Sequence, residues 1–286
     1  MKNACFSVGS NIESIRNQTG GREEKVKVRN KKTENLITVV TIIVILATWY
    51  GVTNFTSISP VILPSPQKVW NSFLEVAKHG YGINGDTLLV HLMSSMKRLL
   101  IAYGLVIVTA IPLGLISGYF PKVYAVLNPI IEFYRPLPPL AYYTLLVLWF
   151  GINEDSKIIL LYLAGFAPVY IACISGVNKI REETIQGAYM LGANKFQVFV
   201  QVILPASLPD IFTGLRTALG VEYTTLVAAE MVAAKTGIGW MVLDASNWLK
   251  SDVVFFGVIL MGITGILMNQ LLLGLEHVVV HWNGKQ

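Results

Sequence analysis

Gln186-Gly187-Ala188-Tyr189-Met190-Leu191-Gly192, followed ten residues later by Val202-Ile203-Leu204-Pro205, is the polar interruption around which the apolar two-thirds of this chain is arranged. Thr184 to Leu191 contains no breaker other than Gly187, so it can form a short helix. Gly192 permits a turn with φ > 0 that other residues resist, and Phe196 to Leu204 can form a second helix. Pro205 and Pro209 disfavour continuing that second helix unbent. The expectation is a helix–turn–helix hairpin between two membrane-length apolar runs.

The surrounding composition belongs to lipid. Of 286 residues, 53% are hydrophobic and only 14% charged, against roughly 25% charged in average soluble chains. The apolar runs number about six, each near the ~20 residues that a helix needs to cross the hydrocarbon core. The fold class expected is all-α, a polytopic membrane protein of about six transmembrane helices. A net charge of +5 would suggest nucleic acid in a soluble protein. Here Arg22, Lys25, Lys27, Arg29, Lys31 and Lys32 cluster ahead of the first apolar run, which the positive-inside rule explains without that partner. Cys5 follows no apolar stretch and Cys173 sits within one, so neither marks a lipoprotein or metal site.

In chain order, residues 1–35 read as a disordered cytoplasmic tail and 36–55 as the first span, an anchor longer than a signal-peptide core. Residues 56–90 are expected outside. There Ser65-Pro66 starts and Gly80 stops an amphipathic helix with Val69, Phe73, Val76 and Ala77 on one face. Residues 91–276 form the transmembrane core. Span two, Leu99 to Tyr119, carries Gly114-Leu115-Ile116-Ser117-Gly118, a spacing that permits close helix approach. Lys97 and Arg98 at its outer start are expected to snorkel to the interface. Pro129, Pro136, Pro138 and Pro139 interrupt span three, making Asn128 to Pro139 either an internal interface or part of a pore. Asn153 to Lys157 is expected to be an external loop before span four, Ile158 to Val177. The polar hairpin occupies about 179–209, inside. Span five runs from about Ile211 to Ala234, and 235–252 is an external loop with Gly237 and Gly239. Span six is Val253 to Leu275, and 277–286 form a C-terminal tail. Both termini then lie in the cytoplasm.

The spacing Gly192, nine residues, Val202-Ile203-Leu204-Pro205 resembles the "EAA" loop of ABC-transporter permease subunits, written E-A-A-x3-G-x9-I-x-L-P. Tyr134-Arg135-Pro136-Leu137-Pro138-Pro139-Leu140, Trp149-Phe150-Gly151-Ile152, Gly214-Leu215-Arg216 and Leu226-Val227-Ala228-Ala229-Glu230 extend the likeness to the sulfonate/nitrate branch, with taurine permeases the most similar. It covers about residues 58–276. The resemblance implies a type I ABC importer permease fold in a bacterial inner membrane, with alternating access driven from a partner. That partner is an ABC ATPase in two copies. A periplasmic or lipid-anchored solute-binding protein delivers cargo, and a second permease subunit, as a homodimer, completes the path. The implied cargo is taurine or another alkanesulfonate; nitrate, bicarbonate and thiamine-precursor pyrimidines are carried by similar permeases. The implied ATPase-coupling residues are Glu182, Glu183, Gln186, Gly187, Ala188, Gly192, Ala193, Val202, Leu204 and Pro205. One departure stands out: Gln186-Gly187 replaces the motif's Glu-Ala, leaving Glu182 and Glu183, one turn upstream, to supply acidic contacts.

Ionisable residues inside spans are costly and usually face a bundle interior or an aqueous cavity. Glu132, Arg135, Arg216, Glu222 and Glu230 qualify. Arg216 and Glu230 fall on nearly the same face of span five but about 21 Å apart, so each needs its own partner. They pair with neighbouring helices or lie at the interface, or Arg135, Arg216, Glu222 and Glu230 line the translocation path, with Arg135 or Arg216 supplying positive potential for an anion. Related permeases usually carry a small residue where Glu222 stands. No catalytic residues, cofactor or metal site are expected: His79, His91, His277 and His281 make no HExxH pair, and neither GxSxG nor a G-x4-G-K-[ST] loop occurs. ATP hydrolysis must then belong to a separate subunit. A secondary transporter would instead show inverted repeats, and none is evident.

Overall fold

A computed structural model describes residues 31–82 and 85–282. Among the described residues the only extended pairing is an isolated bridge between Tyr81 and Asp86; everything else regular is helical. The chain divides into two units, one ending at Gly51 and one running on from Val52. Across that boundary runs α1 (Lys31–Phe55), whose stretch Leu36–Phe55 is long and apolar enough to cross a membrane. The helix therefore takes in the last residues of the expected 1–35 tail, while residues 1–30, with Cys5 and the basic cluster up to Arg29, lie outside the described residues.

In the second unit, α2 (Pro66–His79) is bounded by its local chemistry. The Ser65 hydroxyl accepts the Lys68 N–H at 3.4 Å, Pro66 occupies the first turn, and Gly80 closes the helix at φ 79°. Three long helices form the core: α3 (Leu88–Tyr119), α6 (Glu154–Asn178) and α9 (Leu204–Ala233). α6 packs along both others and contributes Leu160, Leu161 and Val169, all fully buried. The α3–α6 seam is as close as it is because α3 offers glycines. A Cβ at Gly114 would stand 2.6 Å from the Cys173 Cβ, and one at Gly118 2.8 Å from the Val177 Cβ. Gly114→Leu should therefore force the helices apart, at the cost of roughly 1–3 kcal/mol that overpacking carries, or more. Thermal unfolding in detergent should show a clear loss relative to Gly104→Ala, since Gly104 on the same helix faces open space. Equal stability of the two variants would refute the seam.

α3 starts at Leu88, well before the expected Leu99, and α11 runs on to Val279, into the expected tail. Four further boundaries differ from expectation, each for a physical reason. The prolines break span three only at Arg135–Pro138: α4 (Pro121–Tyr134) runs through Pro129, and α5 (Pro139–Phe150) starts on Pro139. Among the described residues five helices are long and apolar enough to cross a membrane, and the remaining expected span is delivered as this pair of 14 and 12 residues. α6 begins at Glu154 instead of Ile158, because Glu154 and Asp155 favour the positive end of a helix. The expected loop 235–252 contains a helix, α10 (Ile238–Asn247), before α11 (Ser251–Val279). Pro205 does not end the second hairpin helix either. α8 (Lys195–Val198) passes through a π-helical turn, Phe199–Ile203, directly into α9. The Leu204 N–H reaches back five residues to Phe199 O, so the register has already shifted where Pro205 lacks its donor.

Candidate functional site

The polar hairpin is built from α7 (Glu182–Met190), a glycine turn and α8. Gly192 has φ +85°, its N–H bonds Tyr189 O at 2.9 Å, and Ala193 N–H bonds Ala188 O at 3.1 Å. These are the paired bonds of a Schellman cap, which needs a left-handed residue at that position. Asn194 and Gln197 then start α8 with a reciprocal capping box, at 2.9 and 2.8 Å. The turn is thus fixed from both sides. What it presents is apolar: Met190 and Leu191 are about nine-tenths exposed, and Phe196 about three-quarters. Glu182, Glu183 and Gln186 are exposed on α7, whereas Gly187, Ala188 and Ala193 are half-buried. Val202, Leu204 and Pro205 are half-buried with Ile203 fully buried between them, so this end seats the hairpin on the core. A 2.7 Å contact between the Tyr119 and Tyr189 hydroxyls ties α7 to the end of α3.

The four membrane-depth residues lie in four different environments. Arg135 ends α4 beside a cavity of about 300 Å³ at the α4–α5 break, and pairs with Glu132 at 3.1 Å. Arg216 lies between α9 and α11, pairs with Glu276 at 3.5 Å, and borders cavities of about 270 and 220 Å³. Glu222 is fully buried, with no hydrogen-bond donor on either carboxylate oxygen. It packs on Gly165 of α6, where any Cβ would overlap the carboxylate. The glycine opposite supplies the room that a larger α9 side chain requires. Glu230 is enclosed in a charged cluster that includes a residue assigned above to the interface.

That residue is Arg98, which does not snorkel: it is 3% exposed, because two carboxylates and a carbonyl converge on it. Its Nε and Nη2 grip Glu154 at 2.5 and 2.9 Å, while Nη1 donates to Glu230 at 2.6 Å and to Thr236 O at 2.8 Å. Lys157 adds a 3.0 Å bond to Glu154. Glu230 also accepts from the Ser95 hydroxyl at 2.7 Å and from Gly239 N–H at 2.9 Å. Ile238 N–H donates to Ser95 Oγ and Gly237 N–H to His91 Nδ1. The buried N–H donors at the start of α10, which lack partners within the helix, are thus satisfied by side chains of α3 and α9, with a carboxylate at the helix's positive end. His91, Ser95 and Arg98 fall at i, i+4 and i+7, one face of α3, and that polar stripe in an apolar helix was the signal available in the sequence. No group of residues with metal-ligating geometry occurs among the described residues.

Long apolar helices, an exposed hairpin at one end of α9 and cavities beside a broken span are the features of an integral membrane transport component. The chain belongs to the family of binding-protein-dependent transport system inner membrane components, whose profile matches residues 110–281. Over 249 residues it is 43% identical to the taurine transport system permease protein TauC of Escherichia coli K12, covering 87% of this chain and 90% of that protein. It is 31% identical over 242 residues to the putative aliphatic sulfonates permease SsuC of Bacillus subtilis, covering 85% and 86%. The nitrate import permease NrtB of Leptolyngbya laminosa is 29% identical over 205 residues, covering 72% and 73%. It is an ABC importer permease of the sulfonate, nitrate and taurine branch. Among solved structures, the inward-facing MetNI methionine ABC transporter superposes with a TM-score of 0.51 at 14% identity, covering 65% of this chain and 95% of that one. That likeness establishes the fold.

Proposed function

We propose that this chain is the membrane-spanning subunit of an ATP-driven importer for taurine or another alkanesulfonate. The observation that carries the coupling is the hairpin tip: Met190, Leu191 and Phe196 stand in solvent on a turn fixed at both ends. A rigid apolar projection is costly to leave in water and marks an interaction surface. Two ATPase subunits take this tip on two copies of the chain, which form a homodimer around a central path. The hairpin and both termini then lie in the cytoplasm and α10 lies outside. α9, about 45 Å long at 1.5 Å per residue, is the rod that carries movement of the hairpin across the membrane. Arg135 and Arg216, each beside a cavity, supply positive potential along the anion's route. The taurine cargo rests on likeness to the TauC permease.

Labelled taurine uptake in cells lacking the chain, with and without its restoration, tests the cargo. Restored uptake that unlabelled taurine competes away, and nitrate does not, is the expected result; uptake left unchanged by restoration would remove taurine as the cargo. A P-loop ATPase should co-purify with the chain in mild detergent. Changing Leu191 and Phe196 together to Ser should release it, and retention would remove the hairpin from the coupling.

A further inference from the structure

The chain ends two helices with the same hydrogen-bond pattern but fills the critical position differently. At the end of α7 the left-handed residue is Gly192. At the end of α10 it is Leu249, φ 55°, the only non-glycine residue with positive φ among those described. The paired bonds are intact there, with Leu249 N–H to Ser246 O at 3.1 Å and Lys250 N–H to Ala245 O at 2.9 Å. A left-handed leucine is strained by contact between its Cβ and the backbone, and a glycine would relieve it. The turn leads α10 into α11, yet the side chains at it pack little within this subunit: Leu249 is 70% exposed and the adjoining Trp248 71%. A strained turn that leaves two large apolar side chains outside the subunit's own packing is the pattern of a binding site.

Beside this tip lies a cavity of about 760 Å³ between α2, α10 and the start of α11. Glu75, Asp244 and Asp252 line it against the single lysine Lys250, whose ammonium stands 5.4 Å from the Tyr81 ring. Tyr81 donates to Asp244 at 3.1 Å, and Ser72 donates to Asp252. Burial, then the bond to Asp244, pushes the Tyr81 phenol above its ordinary value, so it remains a donor at neutral pH. The carboxylates outnumber the lysine, so the lining is net negative. It matches a cationic side chain, and it has the wrong sign for anionic lipid headgroups.

We propose that Trp248, Leu249 and this cavity form the surface that receives the soluble solute-binding protein, which sets an apolar patch on the tip and a lysine or arginine in the cavity. The inference rests on the importer reading above and names where its external partner docks, at the end of α9 opposite the hairpin.

The test uses the full complex in lipid nanodiscs with its ATPase, titrated with the binding protein that supports taurine uptake. ATPase activity and thermal stability are both read. Leu249→Gly should keep or raise thermal stability. It should also raise the half-stimulating concentration of binding protein about tenfold, as loss of an interface anchor does. Trp248→Ala and Glu75→Lys should shift that concentration in the same direction. Unchanged half-stimulating concentrations in Leu249→Gly and Trp248→Ala would overturn the proposal while leaving the importer reading intact. Quenching of Trp248 fluorescence by brominated lipid would overturn it in favour of a membrane anchor. Wild-type complex that no binding protein stimulates would overturn the importer reading, and this one with it.

Discussion

Arg98→Ala is expected to be among the most damaging single substitutions in the chain, with little sign of it in the sequence. Arginine is buried here together with Glu230, itself 0% exposed, and both are fully hydrogen-bonded. Such a pair adds little net stability over apolar residues of the same volume, because desolvation offsets the attraction. Removing one partner is different: it leaves an uncompensated charge, typically at a cost of about 3–5 kcal/mol. The damage should extend beyond the pair, since Arg98 also holds Thr236 O and Glu230 holds Gly239 N–H, and both bonds fix the entry to α10. Thermal unfolding in detergent and the yield of inserted protein measure the effect. Arg98→Gln/Glu230→Gln, which removes both charges, should recover much of the loss. Lys97→Ala, one residue away and exposed, should be near neutral. If Arg98→Ala unfolds no earlier than Lys97→Ala, the cluster contributes nothing to the fold.

The same cluster shows why part of the molecule was not legible in the sequence. Features set by local chemistry were readable: Ser65-Pro66 and Gly80 bound α2, Gly114 and Gly118 mark a close seam, and Gly192 takes the left-handed turn. α10 was not, because its first donors are satisfied by His91, Ser95 and Glu230 from other helices. A helix capped in three dimensions carries no capping signal of its own. Arg98 read as an interfacial residue because charge was assigned to one helix at a time; its carboxylates lie 56 and 132 positions away. Pro205 read as a residue that the second hairpin helix could not pass unbent, because an α-helical register was assumed, and the π-helical turn before it removes that premise. Glu222 stands apart: the sequence marked it as unusual, and the structure pairs it with the space left by Gly165.

Gly192→Asp should abolish uptake while leaving the protein inserted, a separation that the local geometry makes testable. A Cβ at Gly192 meets no atom within 4 Å, so nothing in the fold is displaced. The backbone penalty is modest, since aspartate is one of the few L-residues that visits the left-handed region. A carboxylate at the C-terminal end of α7 adds roughly 0.3–1 kcal/mol of unfavourable dipole interaction. These terms loosen the turn without unfolding three core helices. The larger effect falls on docking, because the new charge sits beside Met190, Leu191 and Phe196, the surface proposed to be covered by the ATPase. Burying an unpaired carboxylate at such an interface costs several kcal/mol, and every 1.4 kcal/mol lowers affinity about tenfold. Gly192→Ala carries the backbone strain without the charge, and it should retain part of the transport. Membrane level, ATPase co-purification and uptake, measured together, distinguish the outcomes. Normal membrane level with lost co-purification and lost uptake is expected for the aspartate variant. Full uptake would mean that the turn and its apolar tip do not carry the coupling.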